Sequence, residues 1–106
     1  MSNKTLNNAK IKFLKGIGHR LNPVVIIGGH GITDNVIEEV NRALNDHELI
    51  KVKIPQGSKA ERDAINQAIS EATGSTIITS IGRIVLLLRH NPDANPKLSN
   101  LVRFGD

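Results

Sequence analysis

The sequence predicts a single α/β domain of the α+β kind, a mixed four-stranded sheet with helices packed on it. Three observations predict it. Segments with apolar residues at helical spacing alternate with short β-branched runs, giving the order helix, strand, helix, strand, helix, strand, strand. Strands separated by helices favour parallel neighbours, whereas the closing pair, joined by Gly82-Arg83, must be antiparallel. A chain of 106 residues has room for one hydrophobic core.

The first helix begins near Thr5 or Asn7, either of which can cap it, and runs to about Gly18. Leu6, Ala9, Phe13, Leu14 and Ile17 fall on one contiguous arc of that helix and are expected to face the core. Lys4, Lys12, Lys15 and His19 fall on a second arc roughly opposite, which holds only cationic side chains. Lys10 sits inside the apolar arc and must snorkel or lie at its edge. Pro23-Val24-Val25-Ile26-Ile27 then reads as a buried strand, cut short by Gly28-Gly29-His30-Gly31.

A second helix follows, capped by Thr33 or Asp34, with Val36, Ile37, Val40, Ala43 and Leu44 at helical spacing. From Leu49 to Ile54 the pattern alternates, so that Ile50, Val52 and Ile54 face one way and Lys51 and Lys53 the other. Pro55-Gln56-Gly57 turns the chain into Ser58-Lys59-Ala60-Glu61, a capping box. The third helix carries Ile65, Ala68, Ile69 and Ala72 inward, and Gly74 is suited to end it. Thr76–Ile81 and Ile84–Arg89 are the closing strands, and Gly82-Arg83 between them has the form of a type II′ turn. From Asn91 onward, with Pro92 and Pro96, no period is visible, so 91–106 is expected to be an extended or mobile tail on a domain of residues 1–90.

Composition narrows the function classes. The chain has no cysteine, which removes disulfide frameworks, thiolate metal sites and cysteine nucleophiles. It has neither a run of ~20 apolar residues to cross a bilayer nor a secretory-type N-terminus, so a cytoplasmic protein is expected. The net charge is +4, and its distribution is uneven. Residues 1–33 carry Lys4, Lys10, Lys12, Lys15 and Arg20 with no acid, while 34–48 carries Asp34, Glu38, Glu39, Asp46 and Glu48 against Arg42 alone. A molecule so polarised orients itself in the field of a polyanion.

The segment richest in information is the glycine loop between the first strand and the second helix. Glycines at 28, 29 and 31 admit positive φ and let another backbone approach closely. The loop also leads into a helix N-terminus, where free amides favour an anion such as phosphate. The same glycines could serve only a tight turn. Neither the P-loop pattern nor the complete dinucleotide fingerprint is present, so nucleotide hydrolysis has no visible machinery. His19, His30, His47 and His90 are scattered without metal-ligand spacing, no nucleophile elbow exists, and Glu38-Glu39 and Asp46-His47-Glu48 read as the wet face and end of a helix. No catalytic residue, metal, cofactor or small-molecule substrate is expected. With no Trp or Tyr, Phe13 on the apolar arc and only Phe104 free to act as a ring, stacking platforms of the kind used by base-reading domains are missing.

These residues resemble the CRM domain family, in its stand-alone bacterial YhbY form. The resemblance rests on Phe13-Leu14-Lys15-Gly16, Leu21-Asn22-Pro23-Val24-Val25, Ile27-Gly28-Gly29-His30-Gly31-Ile32-Thr33, His47-Glu48-Leu49-Ile50-Lys51-Val52-Lys53 and Ile81-Gly82-Arg83-Ile84-Val85-Leu86-Leu87-Leu88-Arg89, across about residues 6–90. It implies a fold similar to the C-terminal domain of translation initiation factor three and a glycine loop comparable to that of KH domains. It implies an RNA partner, ribosomal RNA in precursors of the large subunit, bound without a membrane by what is expected to be a monomer. Carried over by position, the implied RNA contacts are Gly28, Gly29, His30 and Gly31, with Lys12, Lys15, Arg20, Lys51, Lys53, Arg83 and Arg89 completing the surface. One departure is His30, where family members often have Lys or Asn; imidazole as a residue type changes charge near neutrality. Two other classes stay open. One is a protein–protein adaptor acting through the acidic helix 34–48, and the other is a small enzyme of nucleotide or phosphate chemistry.

Overall fold

A computed structural model describes residues 7–105. The elements are α1 (Asn8–Gly18), β1 (Pro23–Ile26), α2 (Asp34–His47), β2 (Leu49–Lys53), α3 (Lys59–Thr73), β3 (Thr76–Ile81), β4 (Ile84–Leu88) and a short α4 (Asn100–Gly105). The sheet order is β1-β2-β4-β3. β1 runs parallel to β2, as a helical crossover demands, and β4 is antiparallel to both β2 and β3. The order and mixed character of the sheet agree with the sequence. α4 is additional, and β4 inserts between β2 and β3.

Local signals act where the sequence places them. Asn7 Oδ1 accepts from the Lys10 amide at 2.9 Å and caps α1; Thr5, the other candidate, lies outside the described residues, as do Lys4 and Leu6. Thr33 caps α2. Ser58 and Glu61 form the reciprocal capping box of α3, and Gly74 ends that helix at φ +66. Gly82 takes φ +56 and Arg83 does not take a positive φ, the sign pattern of a II′ turn.

The sheet is buried on both faces by different helices. Ile50, Val52 and Ile54 of the β2 segment join Val25, Ile27, Val85 and Leu87 beneath Val40 and Leu44 of α2 and Ile69 of α3. On the other face Leu49, Ile78, Leu86 and Leu88 pack under Leu14 and Ile17 of α1, with Leu101 and Phe104 of α4 beside them. The strand alternation therefore puts Lys51 and Lys53 on the α1 face, opposite α2 and its acidic residues.

Four expectations need correction. The Pro23–Ile27 run is a half-covered edge strand, not a buried one: α1 and α4 lie over β2 and β3, so Val24 and Ile26 stay 45% and 67% exposed. The inward arc of α1 is rotated towards Ile11, Leu14, Ile17 and Gly18, and Phe13 is 44% exposed. Gly18 lets the helix lie close to the sheet in this setting, since a Cβ there would sit 2.8 Å from Leu86 Cδ2. In α3 the inward face runs through Asn66, Ile69 and Thr73, while Ala68 and Ala72 are exposed. Thr73 can be buried because its hydroxyl donates to the Ile69 carbonyl at 2.8 Å.

The fourth concerns the C-terminal segment, which is folded onto the domain. Glu48, expected on the wet end of α2, is only 7% exposed and holds this segment. Its Oε1 accepts from Ser99 Oγ at 2.7 Å and its Oε2 from the Asn91 amide at 2.6 Å. Asn100 Nδ2 donates to the Leu49 carbonyl at 2.7 Å, and His47 Nδ1 donates to the Leu98 carbonyl at 2.8 Å. Glu48 itself takes φ +63 with ψ −43, a positive-φ conformation that costs free energy in a non-glycine residue. The carboxylate network keeps it there.

Candidate nucleic-acid interface

The glycine loop starts where β1 leaves the sheet. The Ile27 amide donates to the Lys53 carbonyl at 2.8 Å, and the Gly31 amide then donates to the Gly28 carbonyl at 3.0 Å, closing a four-residue turn. Gly31 needs to be glycine for its φ of +74. Gly28 and Gly29 do not: neither has a positive φ, and a Cβ on either would meet nothing within 4 Å. Gly28, Gly29 and His30 are exposed, and the amides of Gly29 and His30 have no hydrogen-bond partner among the described residues. The helix terminus behind the loop is less available to an anion than the sequence suggested. Thr33 Oγ1 already accepts from the Val36 amide at 3.2 Å, and Asp34 occupies the first turn. Any anion held here meets the amides of the turn.

The cations divide into those that share this end of the molecule and those that do not. Lys53 lies between Ile26 and Ile84 in the ladder, next to the root of the loop. Arg83 docks on the next residue: its Nε donates to the Ile54 carbonyl at 2.9 Å, and the Ile54 amide donates back to the Arg83 carbonyl at 2.8 Å. Lys51 is two residues before Lys53 on the same sheet face. Across a groove of about 280 Å³ it faces Lys15 of α1 and His19, which caps that helix. Lys12 is exposed one turn earlier on the flank of α1 that carries Lys15. The ion pairs among the described residues are Lys59–Asp63 at 2.7 Å and His90–Glu48 at 3.9 Å. Lys12, Lys15, Lys51, Lys53 and Arg83 thus have no carboxylate partner among the described residues, and their field is not cancelled locally.

Arg20 and Arg89 are placed elsewhere. The Arg20 guanidinium lies 4.6 Å from the centroid of the Phe104 ring, on the flank of α1 that faces α4. Phe104 is accordingly not a free ring; Arg103 covers it as well, at 5.1 Å. Arg89 follows the far end of β4, about 16 Å along the strand from Ile84. Its Nη1 donates to Asn41 Oδ1 at 2.8 Å and the Thr73 carbonyl at 2.6 Å, and its Nη2 to the Asn41 carbonyl at 3.0 Å and Asn45 Oδ1 at 2.9 Å. It ties the C-terminal turns of α2 and α3 together, which explains its place in the chain without a ligand.

Sequence reasoning did not find the groove itself, whose wall and floor are Gly18, Thr79, Ile81, Ile84 and Leu86. The available signal was the pair of isoleucines flanking the Gly82-Arg83 turn, one of which, Ile81, is 72% exposed. Nor did it foresee Phe13 as the exposed ring, with Lys10 Nζ 5.7 Å from its centroid. Among the described residues there is no cluster of potential metal ligands, and no helix is long and apolar enough to cross a membrane.

Residues 6–89 match the family model of the CRS1/YhbY (CRM) domain. A probable RNA-binding protein of Pseudomonas aeruginosa is 42% identical over 100 residues, covering 94% of this chain and 96% of that protein. An RNA-binding protein of Haemophilus influenzae is 42% identical over 94 residues, covering 89% of this chain and 95% of its own length. The solution structure of a Staphylococcus aureus protein, described as a candidate RNA-binding protein, superposes with a TM-score of 0.73 at 28% identity, over 85% of this chain and 94% of that one.

Proposed function

The chain belongs to the CRS1/YhbY (CRM) domain family, and on that premise we propose that it is a non-catalytic RNA-binding protein that grips sugar-phosphate with its glycine turn and the cations beside it. Gly28, Gly29, His30 and Gly31 supply backbone amides and an unobstructed approach. Lys53, Lys51 and Arg83 supply charge from the adjoining strand ends, and Lys15 and Lys12 extend it along α1. The observation that carries this reading is the pair Gly28 and Gly29. Neither backbone geometry nor packing asks for glycine there, yet both stand bare next to uncancelled positive charge. A phosphate approaching a backbone amide would use that bareness.

Changing Lys51, Lys53 and Arg83 together to Glu tests it. RNA affinity at fixed salt should fall by at least a hundredfold, since three attractive contacts become repulsive ones. Unaltered binding by the folded triple variant would overturn the proposal.

The partner we assign is structured ribosomal RNA in a precursor of the large subunit, met in the cytoplasm by a monomer; the support is the family and the scarcity of aromatic rings, with no Trp or Tyr and Phe13 as a lone exposed ring, which favours reading shape over bases. Co-migration of the protein with large-subunit precursors, and not with mature particles, on a sucrose gradient is the expected result. Asp34, Glu38 and Glu39 are exposed on the opposite side of the sheet, which leaves that side free for a basic ribosomal protein. Retention on such a protein after nuclease treatment, with none on RNA alone, would favour this adaptor role instead.

A further inference from the structure

The groove between α1 and the sheet has a composition that lysine-based phosphate binding does not require. Its floor is aliphatic, made by Ile81, Ile84 and Leu86, and its rim carries Lys15, His19 and Lys51 with Thr79 as a further polar group. Ile81 is left 72% exposed at its edge. At about 280 Å³ the groove falls just below the range of roughly 300 Å³ and above that holds drug-sized ligands. That is room for one flat ring system with a charged substituent outside.

We infer that this groove takes a single unpaired nucleobase of the bound RNA, laid on the isoleucines, with its phosphate between Lys15 and Lys51. The inference rests on the RNA-binding reading and adds a subsite to it. Lys53 follows Lys51 on the same face at about 6.6 Å along the strand, so the backbone can continue from the groove to the glycine turn. Thr79 and His19 also line the groove and bring a hydroxyl and an imidazole that can hydrogen-bond base edges. The domain has no aromatic platform on this face, so an aliphatic slot is its means of holding a flipped base. A fully paired helix, whose bases are stacked inside, cannot enter it.

An abasic scan of a short single-stranded RNA oligonucleotide tests this, read by fluorescence anisotropy with the full chain. One position is expected to bind about fivefold to tenfold more weakly when its base is absent, the scale of burying on the order of 50 Å² of apolar surface. In Ile81→Ser, a change at an exposed position, that penalty should shrink to less than twofold while binding to duplex RNA stays at the wild-type level. A flat scan, or a penalty that persists undiminished in Ile81→Ser, overturns the groove and leaves the phosphate contacts standing. Loss of binding to every RNA by the unmodified protein overturns the RNA-binding reading and the groove with it.

Discussion

Substituting alanine at both Gly28 and Gly29 separates the demands of the fold from those of a ligand. A Cβ at either position meets no atom within 4 Å, and neither residue has a positive φ. The folded chain can therefore accept both methyl groups without strain. The unfolded chain loses conformational freedom, so each change is expected to stabilise by about 0.4–1 kcal/mol. At about 4–8 °C per kcal/mol for a domain of this size, the double variant should melt roughly 3–16 °C above the wild type. RNA affinity should move the other way. Displacing a phosphate oxygen from one loop amide forfeits a charge-assisted hydrogen bond of about 1.5–3 kcal/mol, which is roughly a tenfold to 150-fold loss. Gly31→Ala is the internal contrast: at φ +74 it is expected to cost about 1–2 kcal/mol and lower the melting temperature. Thermal denaturation and anisotropy titration at one fixed salt concentration give both quantities. A double variant that melts lower would show that the fold needs these glycines, and one that binds RNA like the wild type would show that the loop is not the contact; either result refutes the reasoning.

Changing Lys15 and Lys51 to Gln should flatten the slope of log affinity against log salt by roughly 1.4–1.8, about 0.7–0.9 for each phosphate no longer neutralised, with little change in stability; an unchanged slope would place the phosphates elsewhere. Arg89→Met should destabilise by about 3 kcal/mol, because it leaves the Thr73 carbonyl and the Asn41 and Asn45 side-chain oxygens without their donor, and should appear as a lower urea midpoint at constant m. Arg20→Gln, which removes a cation stacked on Phe104, should alter RNA affinity less than twofold in the same titration. Glu48→Ala should cost about 3 kcal/mol and speed amide exchange over 98–104, since the Ser99 hydroxyl and the Asn91 amide lose their acceptor.

What could be read from the sequence were features set by neighbours along the chain. The alternation from Leu49 to Ile54 correctly put Lys51 and Lys53 on one face, because strand geometry has a period of two whatever surrounds it. The Ser58–Glu61 box and the Gly82-Arg83 turn were legible for the same reason. Features decided by contacts distant in sequence were not. Phe13 and Phe104 exchanged roles, the first standing exposed and the second covered by two arginines, because α1 buries Leu14, Ile17 and Gly18 against the sheet and the segment after Asn91 returns to that helix. That return leaves little trace in the sequence, since it is held by Glu48, Ser99 and Asn100 and by only two apolar side chains, Leu101 and Phe104. Arg89 reads as one more surface cation until α2 and α3 are seen to end beside it. The glycine turn at 28–31 was legible as a turn, but its isolation from the helix terminus, through Thr33 and Asp34, depends on which side-chain oxygen wins the cap.

β4 supplies Val85 and Leu87 to the layer under α2 and α3, and Leu86 and Leu88 to the layer under α1 and α4. A single run of leucines and valine is thus the common wall of two chambers. Neither chamber can loosen without withdrawing support from the other, so the two are expected to melt together. The turn at Gly28 is rooted on β2, the strand paired along β4, which gives the exposed glycines a stiff base.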